Sequence, residues 1–201
     1  MPTPTPSPKI ASTVGIKHVV IAPLTEDTET TLTYGTLQLM AGAIDVQISP
    51  ESAEPEVQYF DDIEGDVVYP DPEIKLSMEQ ADIPLSMQEM ILGNTIDDNG
   101  VLVRKAGDKP PYFALGFKSE KSDGTFRYVW MYKGRAAPIT ETYHTREGKT
   151  ITRQTGKIEW VFIKRTKDNQ YQVVADEGEN GFTPALAATF LESVYEPTFT
   201  P

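Results

Sequence analysis

The stretch that decides the fold of this chain is Tyr112-Phe-Ala-Leu-Gly-Phe-Lys-Ser-Glu-Lys-Ser-Asp-Gly-Thr-Phe-Arg-Tyr-Val-Trp-Met-Tyr-Lys-Gly-Arg135. Two apolar runs flank the polar turn Ser122-Asp123-Gly124, which is typical of a β-hairpin. Because side chains alternate between the two faces of a strand, one face of each arm is strongly apolar. These faces supply the predicted core or subunit-interface residues of the hairpin: Phe113, Leu115, Phe117, Phe126, Tyr128, Trp130 and Tyr132.

The second arm of this hairpin is apolar on its other face as well. Val129 and Met131 alternate with the aromatic residues. A strand with two apolar faces needs cover on both sides, from its own domain or from a neighbouring subunit. The sequence leaves both sources open.

The composition fits one globular domain with polar arms. The chain has 201 residues, of which 39% are hydrophobic, and no run approaches the length of a membrane span. The absence of cysteine excludes disulfides, thiolate metal sites and cysteine nucleophiles, and predicts synthesis in a reducing cytoplasm. The first nine residues lack the apolar segment of a secretory signal, so none is predicted.

Charge is distributed unevenly along the chain. The formal net charge is -12; residues 1–100 account for -15 and residues 101–201 for +3. An acidic protein does not hold nucleic acid by neutralising phosphates, which disfavours a DNA-binding function. Acidity either keeps the protein soluble or repels DNA from a surface that must not bind it.

Three segments are predicted from the pattern along the chain. Residues 1–13 form a Pro-rich arm, residues 14–180 form a β domain, and residues 181–201 form a C-terminal extension. The arm and the tail 196–201 are expected to be dispensable for folding but to affect assembly. The fold class is mainly β, a β-sandwich or barrel of about ten strands.

Details within the β domain follow from local patterns. Ile44 to Ser49 alternates as a half-buried strand, and Ile139 to Thr155 reads as a long polar hairpin. One flanking helix is predicted from Asp82, as the cap, to Gly93. A C-terminal helix is predicted to begin at Thr183-Pro184 and to cover Ala185 to Tyr195.

A search for chemistry finds no enzyme motif. His18 and His144 have no local metal-ligand partner, and Asp97-Asp-Asn-Gly100 reads as a turn. Four carboxylates remain as a candidate: Asp61, Asp62, Glu64 and Asp66. They could bind calcium, but a solvated, irregular loop is the more economical interpretation. No catalytic residue, cofactor or metal is therefore predicted.

In several ordered blocks the chain resembles the major tail protein, or tail tube protein, of bacteriophages with long non-contractile tails. The resemblance spans roughly residues 14 to 175. It is carried by Val14-Gly-Ile-Lys-His-Val19, Tyr34-Gly35, Ala41-Gly-Ala-Ile44, Tyr59-Phe-Asp-Asp62, Ile83-Pro-Leu85 with Ile91-Leu-Gly93, Tyr112 to Lys118, Phe126 to Gly134, and Gln154-Thr155 with Ile158-Glu159.

The resemblance implies a structural virion protein in the tail, made in the host bacterial cytoplasm. It implies a β-sandwich that assembles into hexameric rings, stacked into a tube whose inner strands close a barrel around a DNA channel. DNA would pass through without specific binding, and the tape-measure and tail-terminator or baseplate proteins would be partners. The acidic loop would then lie on the channel wall or at a ring-to-ring contact, facing basic residues such as Lys118, Lys121, Arg127, Arg146 and Lys149. The alternative is a monomeric β-sandwich that binds carbohydrate or a cell-surface partner.

Overall fold

The computed structural model describes residues 10–51, 56–60, 63–68, 70–141, 145 and 155–199, with backbone alone along 56–60, 63–66 and 68. Thirteen strands and two helices occur in these residues. In chain order they are β1 (Thr13–Asp27), β2 (Leu32–Tyr34), β3 (Gln38–Leu39), β4 (Ala43–Glu51), β5 (Glu56–Phe60), β6 (Ile63–Val68), β7 (Glu73–Gln80), α1 (Leu85–Leu92), β8 (Thr95–Ile96), β9 (Leu102–Val103), β10 (Phe113–Lys121), β11 (Phe126–Ala136), β12 (Gly156–Phe162), β13 (Gln172–Asp176) and α2 (Pro184–Thr189).

The predicted central hairpin is β10–β11. Its strands pair antiparallel from Glu120 opposite Phe126 to Phe113 opposite Gly134. Gly124 has φ +83°, the left-handed conformation that this turn requires and that glycine adopts without strain. The hairpin prediction is confirmed.

A nine-stranded antiparallel sheet forms around this hairpin. Its main path runs β2-β1-β10-β11-β12-β7-β4, with β3 added to β1 and β13 added to β11. β11 is long enough to hold two neighbours on one edge: its first half pairs with β13 and its last three residues pair with β12. The remaining strands form two small antiparallel sheets, β5–β6 and β8–β9. This mainly β architecture confirms the predicted class and is consistent with a β-sandwich.

The two faces of β11 belong to two different hydrophobic clusters. Val129 and Met131 face the larger cluster, together with α1 and with residues of β1, β7, β10 and β12. Trp130 and Tyr132 face the smaller cluster, which Phe190 and Leu191 complete from the C-terminal segment. Both faces of the strand are therefore covered by its own chain.

One close approach in the hairpin requires glycine. A Cβ on Gly116 would lie 2.7 Å from the ring of Trp130 on the neighbouring strand. No real Cβ sits that close to ring carbons, so any larger residue here displaces the indole from its place in the core.

A β-bulge changes the prediction for β4. Pairing with β7 shifts between Ala43 and Asp45, so Ala43, Val46 and Ile48 pack on the larger cluster while Ile44 is exposed. The bulge adds one residue to β4, so the alternation of side chains between the two faces is broken at Ile44. The sequence pattern alone does not show this. The predicted strand is present, but Ile44, which the alternation groups with Val46 and Ile48, does not share their buried face.

Both predicted helices exist, with altered ends. α1 begins after Pro84, whose φ of −55° and ψ of 146° place it at the N-cap without a side-chain cap, so the predicted cap Asp82 is wrong. Gly93 ends the helix with φ 67°, as expected. Thr183 caps α2 through its hydroxyl, which accepts a hydrogen bond from Leu186 N. α2 stops at Thr189 and does not reach Tyr195, although the segment after it still packs on the sheet.

The predicted long polar hairpin, Ile139 to Thr155, lies mostly outside the described residues. Its root is described: Thr140 forms an isolated antiparallel bridge with Lys157.

Candidate assembly surfaces

The seven hairpin residues predicted for the core or interface all lie in the two clusters. Phe113, Leu115 and Phe117 belong to the larger cluster. Tyr128, Trp130 and Tyr132 are buried in the smaller one, and Phe126 packs at its margin, half-buried. Within the subunit these side chains are used for folding.

The C-terminal segment is held to the sheet by buried and half-buried hydrogen bonds. Trp130 Nε1 donates to the carbonyl of Phe190 over 2.9 Å, and the hydroxyl of Tyr132 donates to the carbonyl of Tyr195 over 2.7 Å. Nearby, the hydroxyl of Tyr34 donates to the carbonyl of Tyr132 over 3.1 Å. The polar tips of the aromatic side chains thus fix the segment that covers them.

A fully buried arginine lies beneath this segment. The guanidinium of Arg165 pairs with Asp168 and, at 2.6 Å, with Glu196, and stacks 3.8 Å from the ring centre of Tyr132. Burial opposes the charge, but these partners raise the pKa of Arg165 above its ordinary value. Burial raises the pKa of the neighbouring Tyr34 to about 12. Since Glu196 balances a buried charge, we expect its loss to destabilise the fold, so the prediction of a dispensable tail from residue 196 is better restricted to residues 197–201.

Two further carboxylates tie the sheet together. Asp27, at the end of β1, accepts hydrogen bonds from the ammonium of Lys133 over 2.6 Å and from the backbone of Thr166 and Lys167. Asp176 accepts two hydrogen bonds from Arg127, of 2.6 and 2.7 Å, and one from Lys121. Lys121 and Arg127, predicted as partners of a neighbouring acidic surface, are thus paired within the subunit.

These contacts give the folded protein a dependence on acid pH. Burial opposes ionisation of Asp27, but its bonds to Lys133 and Thr166 leave its pKa lowered; Arg127 and Lys121 lower that of Asp176. A lowered folded pKa contributes stability above the unfolded value of ~3.9, and that stability is lost as pH falls through the folded pKa.

We therefore expect Asp27→Asn to lower the melting temperature at pH 7. Its melting temperature should then fall less than that of the parent between pH 7 and pH 3, because part of the acid-sensitive contribution is already gone. Thermal melts of the unassembled protein at both values measure this. Asp98→Asn, in an exposed turn, is the matched control. An equal fall for parent and Asp27→Asn would contradict the assignment.

No candidate for catalysis emerges from the described residues. They hold no group of three or more His, Asp or Glu side chains placed to bind a metal. His18 is exposed at a bulge of β1 with φ 56°, and Asp97 accepts hydrogen bonds from Asn99 N and Val101 N within the predicted turn. No helix in this part of the chain is long and apolar enough to cross a membrane.

The features left for a partner are strand edges. Among the described strands, β4 pairs only with β7, and β13 pairs only with β11. Each edge carries an exposed apolar side chain, Ile44 on β4 and Val174 on β13. Unpaired edges with apolar side chains are templates for another chain, so proteins that keep them need a partner or a device that blocks pairing.

Comparison with known proteins decides the family. A family model described as phage tail tube protein matches residues 12–196. The chain belongs to the phage tail tube protein family. A comparison with curated proteins found no match. The tail tube family consists of structural components of the virion tail, so the resemblance noted in the sequence is confirmed.

The acidic segment of this tail tube protein differs from its prediction as an irregular loop. Glu64 and Asp66 lie within β6, which pairs with β5, while Asp61 and Asp62 fall outside the described residues. β-branched residues around the acids, Ile63, Val67 and Val68, favour a strand and outweigh the turn signal of Gly65. Glu64 and Asp66 thus belong to a paired strand, and the place of the acidic residues in an assembly remains a prediction.

Sequence reasoning missed Arg165, Asp27 and Glu196, the charged residues that hold the tail tube fold together. Asp27 is 139 residues from Thr166, and Glu196 is 31 residues from Arg165. Local spacing carries no information about such pairs. The nearest signal was Asp168, three residues after Arg165, which closes the turn that buries the guanidinium.

Proposed function

We propose that this chain is the major tail tube subunit, which assembles into stacked, six-membered rings around a channel that conducts DNA. The observation that carries the proposal is the family match across residues 12–196. The unpaired edges of β4 and β13 support it, because a subunit can pair with a neighbour through each free edge. Contacts between different surfaces of identical subunits make rings when the rotation closes.

Closing a ring would stabilise these strand edges. Each β4 or β13 edge that pairs with a neighbour satisfies main-chain groups that otherwise face water and other chains. Exposed Ile44 and Val174 would become covered in the same step. At roughly 25 cal/mol per Å² of apolar surface, even a few such side chains in every subunit favour assembly.

The acidic residues suit a channel or a contact between rings. We place Asp61, Asp62, Glu64 and Asp66 on one of these two surfaces. At the channel, their charge would repel the DNA backbone and let it slide. At a ring contact, Lys118 is the better placed of the predicted basic partners. Its ammonium lies over Phe126, 4.8 Å from the ring centre, whereas that of Lys121 is already bound to Asp176.

The remaining parts of the proposal follow from the same function. The protein would be made in the host bacterial cytoplasm and end in the virion tail. Its partners would be further copies of itself, the tape-measure protein, and the tail-terminator or baseplate proteins at the ends of the tube. No cofactor takes part, and DNA passes without sequence-specific contact.

Negative-stain electron microscopy of the purified chain tests the proposal. We expect rings or tubes whose number rises with protein concentration, because each subunit offers free strand edges to its neighbours. The variant with Asp61→Asn, Asp62→Asn, Glu64→Gln and Asp66→Asn should fold and still assemble, with a changed tube length. A chain that stays monomeric by light scattering at all concentrations and salt levels would contradict assembly and favour a binding module.

A further inference from the structure

The free edge of β13 can be defined residue by residue. Tyr132 N donates to Tyr171 O, and Glu177 N donates to Phe126 O, so odd-numbered residues of β13 direct their backbone groups toward β11. In an antiparallel ladder the alternate residues direct theirs away from that partner. The outward N–H and C=O groups therefore belong to Gln172, Val174 and Asp176; of these, the carbonyl of Asp176 also accepts a hydrogen bond of 3.3 Å from Glu179 N.

An aromatic groove runs beside this edge. Val173 and Ala175 pack on the smaller cluster, and the groove next to them is lined by Phe182, Phe190, Tyr195 and Phe199. The rings of Phe190 and Tyr195 stack with centres 4.7 Å apart, and Phe199 is 80% exposed. Grooves lined by aromatic rings are the surfaces on which extended Pro-rich segments dock.

The same chain carries a segment with matching chemistry. Residues 1–9, which lie outside the described part, read Met1-Pro-Thr-Pro-Thr-Pro-Ser-Pro-Lys9, with proline at every even position. In an extended chain, successive residues direct their backbone groups to opposite edges. All four prolines thus fall on one edge, which has no N–H donor, while Thr3, Thr5 and Ser7 supply donors on the other.

Such a segment can pair on one side only. Proline fixes φ near −65°, so little conformational entropy is lost when it binds in an extended form.

We propose that residues 1–9 of a second copy add to the free edge of β13, and this inference rests on the proposed self-assembly. Thr3, Thr5 and Ser7 match the spacing of Gln172, Val174 and Asp176. The proline edge faces outward and prevents further strands from adding.

The pairing also sends the proline rings to the aromatic groove. Residues directly opposite each other in an antiparallel pair place their side chains on the same face. Threonines opposite Val174 therefore share its face, and the prolines between them share the face of Val173 and Ala175. That is the face of the smaller cluster, where the aromatic groove lies.

The length of the arm indicates that the segment paired with β13 comes from a second copy of the chain. Ser12 O accepts a hydrogen bond from Ser122 N at the turn of the central hairpin, so the arm starts beside β10. Four strand spacings, roughly 19 Å, separate β1 from the position beyond β13. Crossing them would take about six residues at 3.3–3.6 Å each, which leaves too few to supply all three donors. A neighbouring subunit has no such constraint.

Disulfide trapping in the full chain tests the inference, with no background because the chain has no cysteine. Thr3→Cys, Thr5→Cys and Ser7→Cys are each mixed with Val174→Cys under assembly conditions and oxidised. We expect a cross-linked dimer of the two different variants for at least one arm position, since paired residues lie within the Cα separation that a disulfide accepts. Ile44→Cys on the edge of β4 is the matched control and should not cross-link to the arm.

The readouts separate this inference from the proposed function. Rings or tubes seen by electron microscopy without any cross-link to Val174→Cys would overturn the arm assignment and leave assembly intact. A cross-link to Ile44→Cys in its place would move the arm to β4 and equally overturn it. Cross-linking within one chain of Thr5→Cys with Val174→Cys at high dilution would show pairing in the same subunit and contradict exchange. Absence of any assembly would refute both proposals.

Discussion

Replacing Trp130 with alanine is expected to destabilise the subunit by ~3–5 kcal/mol, the range for truncating a large aromatic side chain in a core. Trp130 has no exposed surface, lies against Gly116 and donates to the carbonyl of Phe190. Alanine removes the ring and leaves both a cavity and a buried carbonyl without its donor. In a chain of this size the melting temperature should fall on the order of 10 °C.

Chemical denaturation of the unassembled protein measures this loss. Val14→Ala is the control, because Val14 is 70% exposed and its truncation should change stability by less than about 0.5 kcal/mol. Trp130→Phe separates the two causes: it keeps most of the ring volume but loses the hydrogen bond, so its cost should be smaller. A Trp130→Ala variant as stable as the control would show that the C-terminal cover does not depend on the indole.

The second large effect is expected at the buried charge of Arg165. The double variant Asp168→Asn with Glu196→Gln removes both carboxylates and leaves a fully buried guanidinium uncompensated. Breaking a buried pair in this way costs ~3–5 kcal/mol. Arg165→Met should cost less, because the side chains of Asp168 and Glu196 are 25% and 44% exposed and can recover solvation from water.

A triple variant gives this prediction its control. Adding Arg165→Met to the double variant removes the stranded charge, so stability should rise relative to the double variant. Denaturation curves of the unassembled proteins provide the comparison. A triple variant less stable than the double would show that Arg165 contributes through packing on Tyr132 and that its charge carries little of the effect.

The sequence by itself determined the elements whose signals are local. The hairpin at Ser122–Gly124, the end of α1 at Gly93 and the cap of α2 at Thr183 were all predictable, because a turn residue or a cap acts on its immediate neighbours. The apolar alternation of 112–135 likewise identified the core strands. The ordered blocks of the resemblance identified the family.

Tertiary structure decided what depends on residues distant in the chain. It showed that both faces of β11 are covered by its own chain: the Val129 face by the larger cluster and the Trp130 face by Phe190 and Leu191. Alternation leaves this open because it does not say what lies opposite each face. The bulge that turns Ile44 outward is set by pairing with β7. The burial of Arg165 and the free edge of β13 are likewise consequences of packing, since a charge can be buried, and an edge left open, only by segments that meet in the folded chain.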